Sequence, residues 1–449
     1  MTQYLLPTDD RFEATYRSLI WNAKLPDVRP AAIVHARDAA EVAAAVVWAR
    51  ERGLGVRARS GGHSFSVSTT RSDSVLIDVG ALDRIEPGSS PDRVRVGPGR
   101  TGGSLVRELD AVRRFFPSGH CPDVGLGGYL LGGGFGWGTT HYGLACNRVV
   151  GVEVVTADGA IVFADDEHNA DLLWAARGAG TEFPGIVTSY ELETLPAPTA
   201  RMSLVQVFPA DMAEEVFRWA AEIAPALSTQ VEFVVLGTTP VDAAPDHAAP
   251  VLTVAASVVG DRPDEARAAL DLLAASPLAS RALFSAVDHD ASWDRLYEIG
   301  ANTHPTGLRY SVDNMWTSGT PDEIVPIGVD LLRTLPTPES LVFWMAWPEP
   351  AVIDHAAYST SGSTYIAAFS TWSDPEDDDR VTHWGRDAMR RHAALSSGIQ
   401  FADENIAARP DSRYLSDESL RRLARIQADR DPDRVFRGLG IDRDLLLLP

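Results

Sequence analysis

Residues 119–138 read GHCPDVGLGGYLLGGGFGWG, and nine of those twenty positions are glycine. A glycine inside a helix or strand costs roughly 0.5–1 kcal/mol relative to alanine. A segment this dense is therefore expected as a compact irregular turn and strand whose backbone lies against a flat or charged ligand. A shorter stretch, RSGGHS at 59–64, repeats the device after a short strand. Its two glycines permit φ values and a closeness of approach that a Cβ forbids, and successive N–H groups in such a turn form a nest for an anion such as a pyrophosphate. Alone, RSGGHS is equally a tight turn around a buried, hydrogen-bonded histidine. Neither run cleanly meets the GxGxxG pattern between strand and helix, with an acidic residue about twenty positions on, that marks a Rossmann site. Together they point to a cofactor held in a different way.

Around these runs the chain shows three rhythms. ARDAAEVAAAVVWARERG (36–53) reads as a helix, with Asp38 as its cap, Glu41 three residues on as in a capping box, and Gly53 as its end. VRARS (56–60), VLIDV (75–79) and RVRVG (93–97) read as short strands, SLVRELDAVRRFF (104–116) as a helix, and VVGVEVVTADGAIV (149–162) as a hairpin turning at Asp158-Gly159. From about Thr199 to Ile399 glycine thins out. Strands such as MSLVQVF, VEFVVLG, VLTVAASVVG, LVFWMAW and TYIAAFSTW there alternate with helices such as ADMAEEVFRWAAEI and PDEIVPIGVDLLRTL. That is the pattern of an α+β domain on a largely antiparallel sheet with helices on one face. SDESLRRLARIQADRDPDRVF is a last amphipathic helix, stopped at Asp431-Pro432. The expected boundaries are 1–198, 199–400 and 401–449.

Composition removes several classes. With 449 residues and 45% hydrophobic content, the chain suits two or three domains with full cores. Its net charge of −22 is spread along the sequence with no basic stripe, so no nucleic-acid partner is expected. MTQYLLPTDDRF has neither a basic n-region nor an apolar h-region, and no apolar run is long enough for a bilayer; the expectation is a cytoplasmic chain without a membrane partner. Cys121 and Cys146 are too few for a disulfide framework and form no zinc-like cluster with histidines, so no metal is expected. One bridge between them is the alternative to two free thiols.

Five ordered segments carry a resemblance: RSGGHS with His63, GHCPDVGLGGYLLGGGFGW with Cys121, HYGLACNRVVGVEVVTADG, NADLLWAARGAGTEFPGIVTSYEL and RLARIQADRDPDRVF. Together they resemble the berberine-bridge-enzyme-like branch of the vanillyl-alcohol oxidase flavoproteins, over about the first 195 residues and the last 50. The resemblance implies an α+β chain in which both ends form a two-part PCMH-type FAD-binding domain, with an α+β substrate domain inserted between them. It also implies bicovalent FAD, 8α-histidyl through His63 and 6-S-cysteinyl through Cys121. An imidazole nitrogen and a thiolate are nucleophiles able to add to an electron-poor flavin. A tethered cofactor leaves the cleft free to open to bulky substrates, and the ring substituent favours reduction. By the same resemblance Arg59, Ser60, Gly61, Gly62 and Ser64 form the pyrophosphate loop, and Gly125, Gly128, Tyr129, Gly132, Gly133 and Gly134 a second cradle. Gly185, Ile186 and Val187 then meet the flavin through their main chain, and Val124 borders the path of oxygen as in an oxidase. Asn147, where an aspartate is common, and the run GAGTEFPGIVT depart from the family pattern.

Sugar-oxidising relatives carry a Tyr-x-Asn-Tyr segment whose second tyrosine takes the hydroxyl proton, whereas Phe401-Ala402-Asp403-Glu404 stands here. Glu404, partly desolvated beside the flavin, is the expected general base; the alternative is a solvated acidic run at a strand end. Tyr310, Asn314, Trp316, Trp344, Tyr365 and Trp372 offer an aromatic floor, of which about a third should face a ligand because alternate strand residues point to opposite sides. Tyr310 and Trp316 are the expected catalytic neighbours of Glu404. The activity implied is an FAD-dependent oxidase that takes hydride from an alcohol or amine carbon of a bulky small molecule, aromatic or glycosylated, and reduces oxygen to hydrogen peroxide, as a monomer or homodimer. An oligosaccharide oxidase, an oxidative cyclase or dehydrogenase with another acceptor, and a flavin carrier without turnover are the competing readings.

Overall fold

In the computed structural model, residues 3–240, 249–301, 303–348, 355–406, 409 and 412–438 are described. The first sheet contains β1 (Tyr4–Leu5), β2 (Ala32–His35), β3 (Gly55–Arg59) and β4 (Ser74–Asp78), in the order β1-β2-β4-β3. β2 and β3 both run parallel to β4. Parallel strands need a crossover; α2 (Ala39–Arg50), which follows α1 (Phe12–Ser18), carries the chain from β2 across to β3. Asp38 caps α2 by accepting the Glu41 N–H at 2.8 Å. Glu41 turns its own carboxylate to the N–H of Arg37, so the capping box stays half closed.

A second sheet and a ribbon follow: β5 (Ile85–Pro87), β6 (Arg93–Val96), β7 (Arg114–Phe115), β8 (Val149–Val155), β9 (Ile161–Ala164), β10 (Ile186–Glu193) and β11 (Leu195–Pro196). The sheet is antiparallel in the order β5-β6-β10-β8-β9, and β7 pairs with β11. β8 and β9 form the expected hairpin, with Gly159 at φ +83°. α3 (Gly102–Ala111) is shorter than its sequence predicts, because Arg113 takes a left-handed φ of 58° and the chain leaves as β7.

The glycine-rich segment also departs from expectation. Leu126–Leu131 form a short helix, α4, ahead of α5 (Thr139–Tyr142) and α6 (Ala170–Ala176). Leu126 and Leu130 bury completely in a core shared with Val187 and Tyr190, and that burial offsets the cost of two helical glycines. On either side of α4 the segment keeps the irregular backbone expected for it, with Gly133, Gly134 and Gly138 at positive φ.

The third sheet holds β12 (Ala200–Pro209), β13 (Val231–Thr238), β14 (Val251–Gly260), β15 (Phe284–Asp288), β16 (Arg309–Thr317), β17 (Leu341–Ala346) and β18 (Thr364–Trp372). Every neighbour is antiparallel, in the order β15-β12-β14-β13-β17-β18-β16. α7 (Ala213–Ile223), α8 (Pro263–Ala274), α9 (Trp293–Ala301), α10 (Pro321–Arg333) and α11 (Asp378–Arg391) connect its strands and the segment beyond. All but α9 share one core with Met315, Trp344, Ile366 and Ala368 on one face. Period-two alternation sends Trp316, Met345, Tyr365, Ala367 and Phe369 to the other face.

The chain then returns. α12 (Asp417–Arg430) touches α6, its continuation breaks at Asp431-Pro432, and Phe436 bridges in parallel to Val56 on β3. Residues 439–449 of the expected C-terminal segment lie outside the described residues. No helix among the described residues is long and apolar enough to cross a membrane.

Candidate functional site

The two glycine runs and the aromatic face of the third sheet enclose a cavity of about 990 Å³, at the upper end of the ~300–1,000 Å³ typical of ligand sites. The glycine runs meet in its wall. A Cβ on Gly125 would lie 2.8 Å from the Gly61 nitrogen and 3.0 Å from its Cα, and backbone at that distance cannot yield. Gly62 sits at φ +73°, and the Gly128 N–H donates to Ser60 Oγ at 3.3 Å. Gly125→Ala should therefore force the loops apart, costing roughly 1–3 kcal/mol as overpacking does. The check is flavin content and thermal stability of the purified protein; retention of both would show that the loops do not need this contact.

His63 and Cys121 line the same cavity. His63 stacks on Trp21 with centroids 5.2 Å apart, and its Nε2 lies 3.3 Å from Asp123 Oδ2. Burial first, then the charges of Asp123 and Asp403, push the Cys121 thiol up to about 12. Its sulfur is therefore a thiol until a base takes the proton. Cys121 and Cys146 are both free; Cys146 is buried behind the wall, and burial pushes its thiol up to about 12 as well.

Of the residues expected in the cradle, Ser60, Gly61, Gly62, Ser64, Val124, Gly125, Gly128, Tyr129, Gly132, Gly134, Gly185, Ile186 and Val187 all line the cavity. Arg59 lines it too, but its guanidinium is engaged by Asp78 Oδ1 at 2.9 Å, Leu19 O at 2.9 Å and Gly61 O at 3.2 Å. It fastens the loop rather than offering a free cation to a phosphate. Gly133 does not fit its expected role. Its carbonyl accepts the Cys146 N–H at 3.1 Å and a Cβ would strike the Tyr358 ring, so it shapes the turn behind the wall.

The expected catalytic set needs three corrections. Tyr310 is packed outside the cavity wall between Trp21 and Phe65, at 4.8 and 5.6 Å, and its hydroxyl donates to Pro305 O. Trp316 is in the wall, but its indole N–H donates to Tyr358 Oη at 3.1 Å, which makes it a surface rather than a proton-transfer group. Glu404 lines the cavity, but its carboxylate is fully buried: Oε2 accepts the Asn314 N–H at 2.9 Å and Oε1 accepts from Arg409 Nε at 2.8 Å. Both of its oxygens are thus engaged by the sheet and by Arg409.

The neighbouring Asp403 has a different environment. It lines the cavity, accepts a hydrogen bond from Tyr365 Oη at 3.2 Å, and burial pushes its carboxyl up to about 6. Of the six residues of the expected aromatic floor, Trp316 and Tyr365 face the cavity. Trp344 lies in the helix-side core, Trp372 donates to Asp378 Oδ1 at 2.8 Å, and Asn314 exchanges hydrogen bonds with the Gln400 backbone. His120 and Glu232 were not singled out in the sequence. They pair across the cavity wall, with His120 Nε2 at 2.9 and 3.1 Å from the two carboxylate oxygens. Only the positions of His120 beside Cys121 and of Glu232 on an apolar strand could have hinted at them.

The residues present fit FAD: a nest that no Cβ could enter, two nucleophilic side chains and an aromatic face, all lining one cavity. Residues 30–165 match the FAD binding domain family. The chain is 33% identical over 440 residues to the FAD-linked oxidoreductase nodO of Hypoxylon pulicicidum, covering 96% of this chain and 95% of that one. The crystal structure of 6-hydroxy-D-nicotine oxidase from Arthrobacter nicotinovorans superposes with a TM-score of 0.85 at 22% identity, over 98% of each chain. BBE-like 1 of Physcomitrella patens superposes at 0.83 and 19% identity, over 98% of this chain and 97% of that one. Sequence and fold agree with the motifs around His63 and Cys121: the chain belongs to the FAD-linked oxidoreductases and has the fold of the 6-hydroxy-D-nicotine oxidase and BBE-like structures.

Proposed function

We propose that this chain is an oxidase carrying FAD covalently on His63 and Cys121, which takes hydride from an alcohol or amine carbon of a bulky small molecule and passes the electrons to oxygen, forming hydrogen peroxide. The observation that carries the proposal is the convergence of His63, Cys121 and the Tyr365–Asp403 pair on one cavity. When bound, FAD supplies the hydride acceptor. Asp403 takes the substrate proton: Tyr365 occupies Oδ2, no protein group among the described residues donates to Oδ1, and a carboxyl raised to about 6 is a stronger base than a solvated one. Trp316, Phe343, Met345, Trp347 and Phe369 line the cavity and would exclude water around a flat substrate. So apolar a wall has few partners for a sugar's hydroxyls, which favours an aromatic or polycyclic substrate over an oligosaccharide. Val124, on the loop that follows Cys121, lines the same space and supports oxygen as acceptor.

Asp403→Asn should slow anaerobic flavin reduction by about 10²–10⁴-fold, the usual worth of a positioned base, and leave reoxidation of the dithionite-reduced protein intact. In the parent protein the reduction rate should rise with pH through about 6 and then level, because the working form is the ionised carboxylate. Stopped-flow measurement decides both points. An unchanged rate removes Asp403 from this role, and oxygen uptake without peroxide release removes the oxidase reading.

A further inference from the structure

We propose that His120, held by Glu232, is a second substrate-contacting group and that this pair selects a hydroxyl over an ammonium at the reacting carbon. The inference rests on the proposed oxidase reading and narrows its substrate class.

His120 belongs to the cofactor loop beside Cys121, whereas Glu232 lies on β13 of the third sheet, and both line the cavity. Glu232 places its two oxygens 2.9 and 3.1 Å from the single nitrogen Nε2. A buried carboxylate without a counter-charge is costly, so the pairing favours the protonated imidazole. Burial pulls His120's proton affinity down, but Glu232 and then Asp403 pull it up, and the net direction is up. An edge contact with Trp137, centroids 4.4 Å apart, fixes the ring. With Nε2–H on Glu232, the second N–H, on Nδ1, has no partner among the described residues, and the side chain keeps about a third of its surface open.

The other charged and titratable groups around it leave this donor without competition. His304 is neutral, its affinity pushed down to about 4 by burial, His120 and His63. Cys121 holds its proton. Arg57 donates to the carbonyls of Thr181, Ser68 and Arg437, and Arg59 is occupied as described. His120, as a donor backed by Glu232, and Asp403, as an acceptor, thus line the same cavity.

A reacting group that bridges them must accept a hydrogen bond from His120 Nδ1–H and give a proton to Asp403. A hydroxyl does both. An alkylammonium has no lone pair to offer and meets a like charge, and at neutral pH an alkylamine with a pKa near 10 is almost wholly in that form. The geometry thus assigns an alcohol as the substrate's reacting group.

The test uses the FAD-loaded protein and a matched pair of probes, cumyl alcohol and cumylammonium. Neither carries a hydrogen on the functional carbon, so binding is read without turnover from the change in flavin absorbance at neutral pH. The alcohol should bind about tenfold more tightly, the scale of one charge-assisted hydrogen bond. Glu232→Gln, which keeps shape but removes the charge, and His120→Ala should each bring the preference close to unity. Tighter or equal binding of the ammonium, no response to either probe, or a preference unchanged in both variants overturns the proposal. Anaerobic flavin bleaching by primary aryl alcohols and amines is scored separately, so loss of the hydride reading is distinguishable from loss of this one.

Discussion

A protein carrying both His63→Ala and Cys121→Ala is expected to release all of its yellow colour into the supernatant on acid precipitation, while either single variant keeps the colour in the pellet. The two side chains reach the same cavity from separate loops, so on the proposed double attachment either bond alone would hold the cofactor. They are not equivalent as nucleophiles. His63 is set by Trp21 and by Asp123 at 3.3 Å, and its imidazole needs no prior ionisation to offer a lone pair. Cys121 must first lose a proton that burial, Asp123 and Asp403 hold up to about 12. The histidyl bond should therefore form first after FAD is added to apoprotein, with the sulfur bond slower and accelerating as pH rises. Mass spectrometry of proteolytic peptides at timed intervals would show the order. Flavin fully released from either single variant, or retained by the double one, would refute the double attachment.

Arg409→Met is expected to cost about 3–5 kcal/mol of folding stability, the usual penalty for breaking one side of a buried ion pair. Arg409 Nε lies 3.3 Å from Asp313 Oδ1, its Nη2 lies 2.7 Å from Glu404 Oε1, and its guanidinium also donates to Asn314 O at 2.6 Å. Both carboxylates are fully buried, and the charges of Arg386 and Arg390 also favour ionised Asp313 without outweighing burial. One guanidinium cannot balance two charges at this depth, so burial raises the proton affinity of the pair and the fold retains a proton there.

The pH dependence follows. Between the ordinary carboxylate range near 4 and the raised folded values, the native state binds more protons than the unfolded one, so stability falls as pH rises through that interval. Asp313→Asn should flatten the slope and partly rescue Arg409→Met. Urea unfolding at several pH values measures both, and an Arg409→Met protein as stable as its parent would show that the clamp carries no load. The same clamp, with the Asn314–Gln400 exchange, holds the turn that presents Asp403.

Much of the architecture was legible because it rests on local chemistry. The Asp158-Gly159 hairpin, the Asp38 cap, the stop at Asp431-Pro432 and the alternation along β18 each depend on neighbours within a few positions. α4 was not legible: glycine density argued against a helix, and only the tertiary burial of Leu126 and Leu130 reverses that. Arg113 at positive φ left no local signature for the early end of α3.

In the site, adjacent carboxylates were the difficulty. Asp403 and Glu404 differ by one position, yet the first meets Tyr365 and the second meets Arg409, and neither partner is near in sequence. His120 and Glu232, 112 positions apart, pair for the same non-local reason. What the motifs around His63 and Cys121 revealed was the cavity wall, because there the backbone itself forms the surface.

The bridge between Phe436 and Val56 bears on how the protein matures. Phe436 lines the cavity, and the Val56 N–H is bonded to Val435 O at 2.7 Å. One side of the cofactor pocket is thus built from a segment synthesised some 380 residues after the strand it joins. Flavin loading must wait until residue 436 has cleared the ribosome, so cells starved of riboflavin should accumulate a finished but colourless polypeptide rather than a stalled nascent one.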